Sequence, residues 1–410
     1  MKIMFLITAL DGLTTGKGGY YYSFRTTVEA LSSAAEVFIV ILGEQAVPPL
    51  SNSDIKTYRV AFNGRNLKKT YTEIKTLVLS ERPSVLHAFD PHSYLFCRYI
   101  QVFSGIPAFL TKCGGPNPPY YYPGANDLIL YSQENLAFFQ AQKKYQTAHL
   151  HFIPNRVVPV IEDADRISAL REHYKIDEQE AVFLRIARFS QHYKESILQA
   201  IDLISTLRQK GYRCRLLCIG TIQSQEVFQE IQSVADKAGD GLSLITENRF
   251  TVNAAQLIGV SDVVIGTGRG IMEAASFSKV LLTTLSGARF PVLVREENFE
   301  VLFDTNFSPR NAIASFKEDT ELELIAQLVA DSGKREQYSR FAAQVFQTYF
   351  DINRRVPDFL ALYHNAISRK GSPMPKGELA LHTLTVLKNA NNKWWKPVWK
   401  RLRKKIKHGA

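Results

Sequence analysis

Short, largely apolar runs of strand length recur along this chain, with stretches long enough for helices between them, and the alternation occurs twice. In the first half the runs are residues 2–7, 37–42, 85–88, 107–110, 128–131 and 151–153, with helices expected over 22–32 and 69–80. A strand apolar on both faces has to be covered on both faces, and parallel strands need a crossover between them. The pattern therefore predicts a doubly wound parallel sheet. Pro154-Asn155 and the acidic stretch Glu162, Asp163, Asp165 interrupt it. It then resumes with runs at 182–186, 215–219, 242–245, 263–265 and 280–284. Ile197, Ile201, Ile204 and Leu207 fall at helical spacing within 194–210, and Gly211 follows as a C-terminal stop. Helical sequence dominates from about 321 to 364.

The expected fold is thus α/β, two Rossmann-like domains, and 410 residues are enough for each to bury its own core. The expected division is 1–157, 158–340, a helical segment 341–369, and a basic tail 370–410. The apolar start Met1–Thr8 reads as a buried first strand, since it lacks the long apolar core and small-residue cleavage site of a signal peptide. No run approaches the roughly 18 apolar residues of a spanning helix. Cys97, Cys113, Cys214 and Cys218 fit no zinc spacing and read as reduced, packed thiols of a cytoplasmic protein.

The formal charge is +11, yet nine basic residues lie beyond Glu378 with no acid among them, which leaves a body near +2. The basic character therefore belongs to the tail and argues against nucleic acid as a partner of the body.

Three stretches carry the chemistry. The first, Asp11 to Gly19, is a glycine-containing loop after the first strand that opens into a helix; Gly18 and Gly19 let backbone N–H groups approach a phosphate or a sugar, and a ligand-free turn is the competing reading. The second runs from Phe183 to Ser196. There Arg188 ends a strand and Lys194 opens a helix whose dipole it opposes, a placement suited to clamping a diphosphate, with a solvated basic loop as the alternative. The third is Gly266-Thr267-Gly268-Arg269-Gly270 followed by Glu273-Ala274, in which small residues expose backbone donors and a carboxylate in the first helical turn faces a ribose diol. Favour from the helix dipole explains the same glutamate equally well.

Taken in order, these stretches resemble family 4 of the GT-B glycosyltransferases. Gly18 and Gly19, Arg188 and Lys194, and Glu273-Ala274 match that family's glycine loop, diphosphate grip and ribose anchor; Ile153-Pro154-Asn155 and Ser261-Asp262-Val263-Val264 resemble its interdomain step and a strand entry. The resemblance covers about residues 1–365. It implies two domains facing a cleft, a nucleotide-sugar donor on the second, transfer with retention, a C-terminal helix crossing back, and no metal or cofactor besides the substrate. It assigns catalysis to Arg188, Lys194, Glu273 and Asp90, and donor binding to Gly18, Gly19, Gly268, Arg269, Gly270 and Ala274. Lys112, Cys113 and Gly114 stand on the acceptor side, Lys112 or Cys113 where many members carry a histidine. Asp90 either orients an acceptor hydroxyl or caps the helix begun by Pro91. The sequence departs from the family pattern at Ile265, where a first glutamate is usual, at Arg156, which replaces a glycine, and at Phe277-Ser278-Lys279.

Asp163-Ala164-Asp165 and His149-Leu150-His151 are short metal-like patterns that lack further ligands, so no metal is expected. The tail holds all three tryptophans, Trp394, Trp395 and Trp399, among lysines and arginines. Indoles favour the membrane interface and cations favour anionic headgroups, so the tail is expected to hold the protein on the inner face of the plasma membrane; a solubilising tail or a polyanion-binding arm are the alternatives. The expected function is transfer of a sugar from a nucleotide carrier to a glycan or lipid-linked acceptor, as in polysaccharide biosynthesis. A GT-B epimerase or phosphorylase and a non-catalytic membrane scaffold are the other readings.

Overall fold

The computed structural model describes residues 1–10, 19–51, 53–154, 156–369 and 376–390. The chain divides into two compact units, Met1–Ile153 with the described residues from Ile352 onward, and Pro154–Asp351.

The first unit is built on seven parallel strands, β1 (Lys2–Thr8), β2 (Glu36–Leu42), β3 (Thr57–Val60), β4 (Val85–Ala88), β5 (Ala108–Lys112), β6 (Asp127–Leu130) and β7 (His149–Phe152), in the order 3-2-1-4-5-6-7. Side chains alternate across the pleat. Ile3, Phe5 and Ile7 pack with Phe24, Val28 and Leu31 of the helix Gly19–Ser32 and with Phe359 and Tyr363 of the helix Val356–Ser368. Met4 and Leu6 on the other face pack with Ile74 and Val78 of the helix Leu67–Glu81 and with Leu95, Phe96 and Ile100 of the helix Pro91–Ser104. β3, Thr-Tyr-Arg-Val, has no apolar run and is absent from the sequence expectation. It is an edge strand, where polar side chains find water.

The second unit has β8 (Ala181–Ile186), β9 (Cys214–Ile219), β10 (Leu242–Ile245), β11 (Val263–Gly266), β12 (Val280–Thr283) and β13 (Val292–Leu293) in the order 10-9-8-11-12-13, all parallel except β13. The expected helix 194–210 spans Gln191–Gln209, and Ile197, Ile201, Ile204 and Leu207 form its buried face. Gly211, just beyond its end, has φ +88°.

The two units share one tight device. In the first, Ala9 N–H donates to Leu42 O (2.7 Å) and Gly43 N–H to Val60 O (2.9 Å); in the second, Ala187 N–H donates to Ile219 O (3.0 Å) and Gly220 N–H to Ile245 O (3.0 Å). A Cβ on Gly43 would lie 2.3 Å from Ala9 O, and one on Gly220 would lie 1.8 Å from Ala187 O. Both sheets therefore place a glycine where the exit of the second strand crosses the exit of the first.

The boundaries differ from expectation. The second unit begins at Pro154, not residue 158, and ends at Asp351, not residue 340. Tyr349 and Phe350 belong to an aromatic cluster with Phe299, Phe303 and Phe307, with Phe299–Tyr349 centroids 5.1 Å apart, so the segment stays with the second core. Val157 N–H also donates to Phe350 O (2.9 Å), tying the chain's entry to its exit. Lys376–Ala390, expected within the tail, is a helix packed on the first unit. Its His382 accepts from Arg98 Nη1 (3.1 Å) and donates to Pro91 O (2.8 Å), and its Glu378 accepts from Lys144 (2.8 Å), Tyr121 Oη (2.7 Å) and Gly124 N–H (2.9 Å). The three tryptophans lie outside the described residues.

His87 on β4 is fully buried, with Nδ1 2.7 Å from Tyr363 Oη and Nε2 2.6 Å from Thr111 Oγ1. Burial pushes its pKa down to about 3, and burial with the nearby Arg98 charge does the same to His382. An unfolded histidine titrates near 6.5, so between roughly pH 6.5 and 3 the unfolded chain binds a proton that the folded one refuses. Stability from these groups is complete above that window and is lost as pH falls, by about 1.4 kcal/mol per pH unit for each histidine. The thermal midpoint should drop steeply below pH 6.5, and His87→Gln should flatten that slope. Equal slopes for the two proteins in a scan from pH 7 to 4.5 would refute the assignment.

Candidate functional site

The strand order reverses between β8 and β11, which pair in parallel through Phe183↔Val263 and Leu184↔Val264. Chains leaving two such strands diverge, and ligands of open α/β sheets sit at the carboxyl ends there. Arg188 follows β8. Its neighbours are pinned, Ala187 N–H to Ile219 O (3.0 Å) and Phe189 N–H to Thr221 O (2.9 Å), so its backbone is fixed. Its Nη1 is buried with no hydrogen-bond partner among the described residues, and its guanidinium lies 5.5 Å from the centre of the Tyr193 ring. Ser190 precedes the helix Gln191–Gln209 in extended conformation but makes no side-chain cap, which leaves first-turn N–H groups as donors. Lys194, in that first turn, is ion-paired with Glu230 of the helix Gln225–Ala238.

After β11 the chain turns through Gly266-Thr267-Gly268 into the helix Arg269–Ser276, also without a side-chain cap. A Cβ on Gly266 would meet Ile271 N at 3.0 Å, so any side chain there would crowd the start of the helix against the strand end. Gly268 has φ +52°, and its N–H donates to Phe307 O (3.1 Å). Asn306 and Phe307, both at positive φ, and Thr283 Oγ1, which donates to Gly266 O (3.0 Å), hold the loop from behind. Gly270 has open space where a Cβ would point. Two uncapped helix starts and an unpartnered guanidinium on adjacent strands form an anion site in electrostatic terms.

At the matching reversal of the first sheet, between β1 and β4, Asp90 caps the helix Pro91–Ser104. Its carboxylate accepts from His92 N–H (2.9 Å), Ser93 N–H (2.9 Å), Ser93 Oγ (2.9 Å), Thr8 N–H (2.9 Å) and Thr8 Oγ1. Lys112 ends β5, and its ammonium donates to Gly114 O (2.5 Å). Cys113 is half-buried, and desolvation pushes its thiol up to about 12, so it is no nucleophile at neutral pH.

No family model matches the chain, and no curated protein matches it in sequence. Solved structures do match in shape. A glycosyltransferase from Rickettsia africae superposes with TM-score 0.69 at 14% identity over 90% of this chain and 99% of that one. Anabaena HepE in complex with UDP gives TM-score 0.65 at 16% identity over 88% and 100%. The UDP-GlcNAc 2-epimerase of Neisseria meningitidis bound to UDP-GlcNAc gives 0.54 at 12% over 89% and 100%. Each unit has the Rossmann-like sheet of the GT-B fold.

Within that GT-B architecture several expected roles change. Asp90 is the helix cap and not a free base, because all of its acceptor capacity is used. Glu273 lies in the second helical turn, since the helix begins at Arg269, and it accepts from Arg269 Nε (2.7 Å) along its own helix. Ala274 is fully buried against the sheet and serves by letting the helix pack closely. Gly19 opens its helix, whereas Gly18 lies outside the described residues. Asp163 of the metal-like pattern caps the helix Ala164–His173, and His151 pairs with Asp127 (3.0 Å). No described helix is long and apolar enough to cross a membrane.

Sequence reasoning passed over Arg185. It sits in β8 and is 2% exposed; it donates to Ile265 O (3.2 Å), Ser196 Oγ (2.7 Å) and Thr267 Oγ1 (3.5 Å), and its Nε has no partner among the described residues. Burial pushes its guanidinium below the usual arginine range. The available signal was a lone cation inside the otherwise apolar Ala-Val-Phe-Leu-Arg-Ile.

Proposed function

We propose that this chain is a glycosyltransferase that takes a sugar from a nucleoside diphosphate carrier, with the diphosphate at the carboxyl ends of β8 and β11. The observation that carries the reading is the buried, unpartnered Nη1 of Arg188 beside two uncapped helix starts. A buried donor left without an acceptor is unfavourable, and a phosphate oxygen would satisfy it. As the diphosphate departs it gains negative charge, which Arg188 and the N-terminal dipoles stabilise without reorganising. Glu273 turns from Arg269 toward the ribose hydroxyls. The acceptor is a glycan or a lipid-linked sugar, transfer proceeds with retention as in family 4, and the basic tail holds the enzyme to an anionic membrane.

The named ligands of two neighbours, UDP for HepE and UDP-GlcNAc for the epimerase, support a nucleotide-sugar donor. The epimerase keeps one competing reading open: such an enzyme would convert the donor with no acceptor present. Calorimetry with UDP, GDP, ADP and dTDP tests the site, and product analysis of the matching nucleotide sugars with and without membrane lipid extract tests the reaction. Absence of binding for all four nucleotides would sink the proposal.

Lys194 is reached through its surface pair with Glu230; such exposed pairs contribute about 0–1 kcal/mol and are readily exchanged. Glu230→Gln should therefore tighten nucleoside diphosphate binding by about two- to fivefold, the equivalent of that small pairing energy. Weaker binding in this variant would show that Lys194 does not turn toward the phosphates.

A further inference from the structure

Arg185 has no role in the clamp described above, yet it is the more deeply buried of the two arginines at this strand end. No carboxylate pairs with it among the described residues. Its partners are two hydroxyls and a carbonyl, and its Nε has none. Dipoles ease a buried charge but do not neutralise it, and an unneutralised buried cation opposes folding. An apolar side chain of similar length would fill the same space without that penalty.

Its surroundings show where the charge is directed. Ile265 O and Thr267 Oγ1 belong to the end of β11 and to the turn that leads into the helix Arg269–Ser276, and Ser196 belongs to the helix Gln191–Gln209. The guanidiniums of Arg185 and Arg188 lie 5.9 Å and 5.5 Å from the centre of the same Tyr193 ring. Two like charges share one aromatic side chain, and an anion at the strand ends would relieve both.

We propose that Arg185 is a positioning residue for the diphosphate: a positive charge beneath the Gly266–Gly268 turn that sets affinity for the charged part of the donor, and a fork that holds the Ile265 carbonyl and the Thr267 hydroxyl at the start of that turn. The inference rests on the nucleotide-sugar reading and adds a residue to that same site. It separates charge from shape, because the uncharged nucleoside gains nothing from Arg185.

The test uses the full chain and calorimetry. UDP, GDP, ADP and dTDP are titrated into the wild type, and the tightest binder is compared with its own nucleoside. Arg185→Met should raise the Kd for the diphosphate about tenfold to a hundredfold and change that for the nucleoside less than about twofold. Arg185→Gln, which keeps an amide donor for Ile265 O or Ser196 Oγ, should show the same charge-dependent loss and stands in if the methionine variant does not fold. Arg185→Lys should recover part of the affinity. A folded methionine or glutamine variant with wild-type diphosphate affinity overturns the proposal and leaves the donor reading intact. Equal losses for diphosphate and nucleoside assign Arg185 a purely structural role and overturn it as well. If no diphosphate binds the wild type, the donor reading fails and this inference fails with it.

Discussion

Arg188→Ala should lower kcat/KM for sugar transfer by on the order of 10²–10³, because on the proposed reading it removes one preorganised cation from beside the leaving diphosphate. The same variant should unfold within about 2 °C of the wild type. The buried Nη1 makes no hydrogen bond among the described residues, so truncation leaves no protein acceptor orphaned, although the contact with Tyr193 is lost. The pairing of these outcomes is the content of the prediction. A structural arginine loses stability and activity together, whereas a ligand-facing one loses activity alone. Steady-state kinetics and a thermal melt on one preparation decide it, and wild-type turnover by the alanine variant would remove the central residue from the mechanism.

The second large effect is on the scaffold. Gly220→Ala puts a methyl group 1.8 Å from Ala187 O and 2.7 Å from Ala187 C, both backbone atoms that no rotamer change can move. The exits of β8 and β9 have to separate, which strains the Ala187–Ile219 and Gly220–Ile245 hydrogen bonds and displaces Arg188, the next residue along. Overpacking of this kind costs about 3 kcal/mol, which in a unit of this size lowers the midpoint by about 6–12 °C. Diphosphate affinity should fall with it. Gly270→Ala is the stability control: it meets nothing within 4 Å and lies inside a helix, where alanine is the better former, so its midpoint should hold or rise. A Gly220→Ala protein as stable as the Gly270→Ala one would mean that the two strand exits are free to part.

How far each element was legible follows from where its information resides. The buried strands could be read because a strand covered on both faces has to be largely apolar along its length, as in residues 108–110 and Val263–Gly266. β3 could not, because an edge strand with polar side chains has no such pattern. The limits of the second unit were misplaced because the aromatic cluster that keeps Tyr349 and Phe350 there is assembled from residues about fifty positions apart. The helix Lys376–Ala390 is not legible as part of the folded unit, because what secures it, Glu378 with Lys144 and His382 with Arg98, is contributed by distant partners.

The sequence by itself determined two doubly wound α/β units, the placing of Arg188 after a strand, and a small-residue turn before a helix, since apolar period and glycine position are local properties of the chain. Only the tertiary structure decided what each charged group does. Asp90 became a saturated cap, Lys194 and Glu273 were given ionic partners, and Arg185 emerged as a cation with no ionic partner among the described residues. The physical reason is that a charge acquires its role from the groups that surround it in space, and those groups come from strands and helices far along the chain.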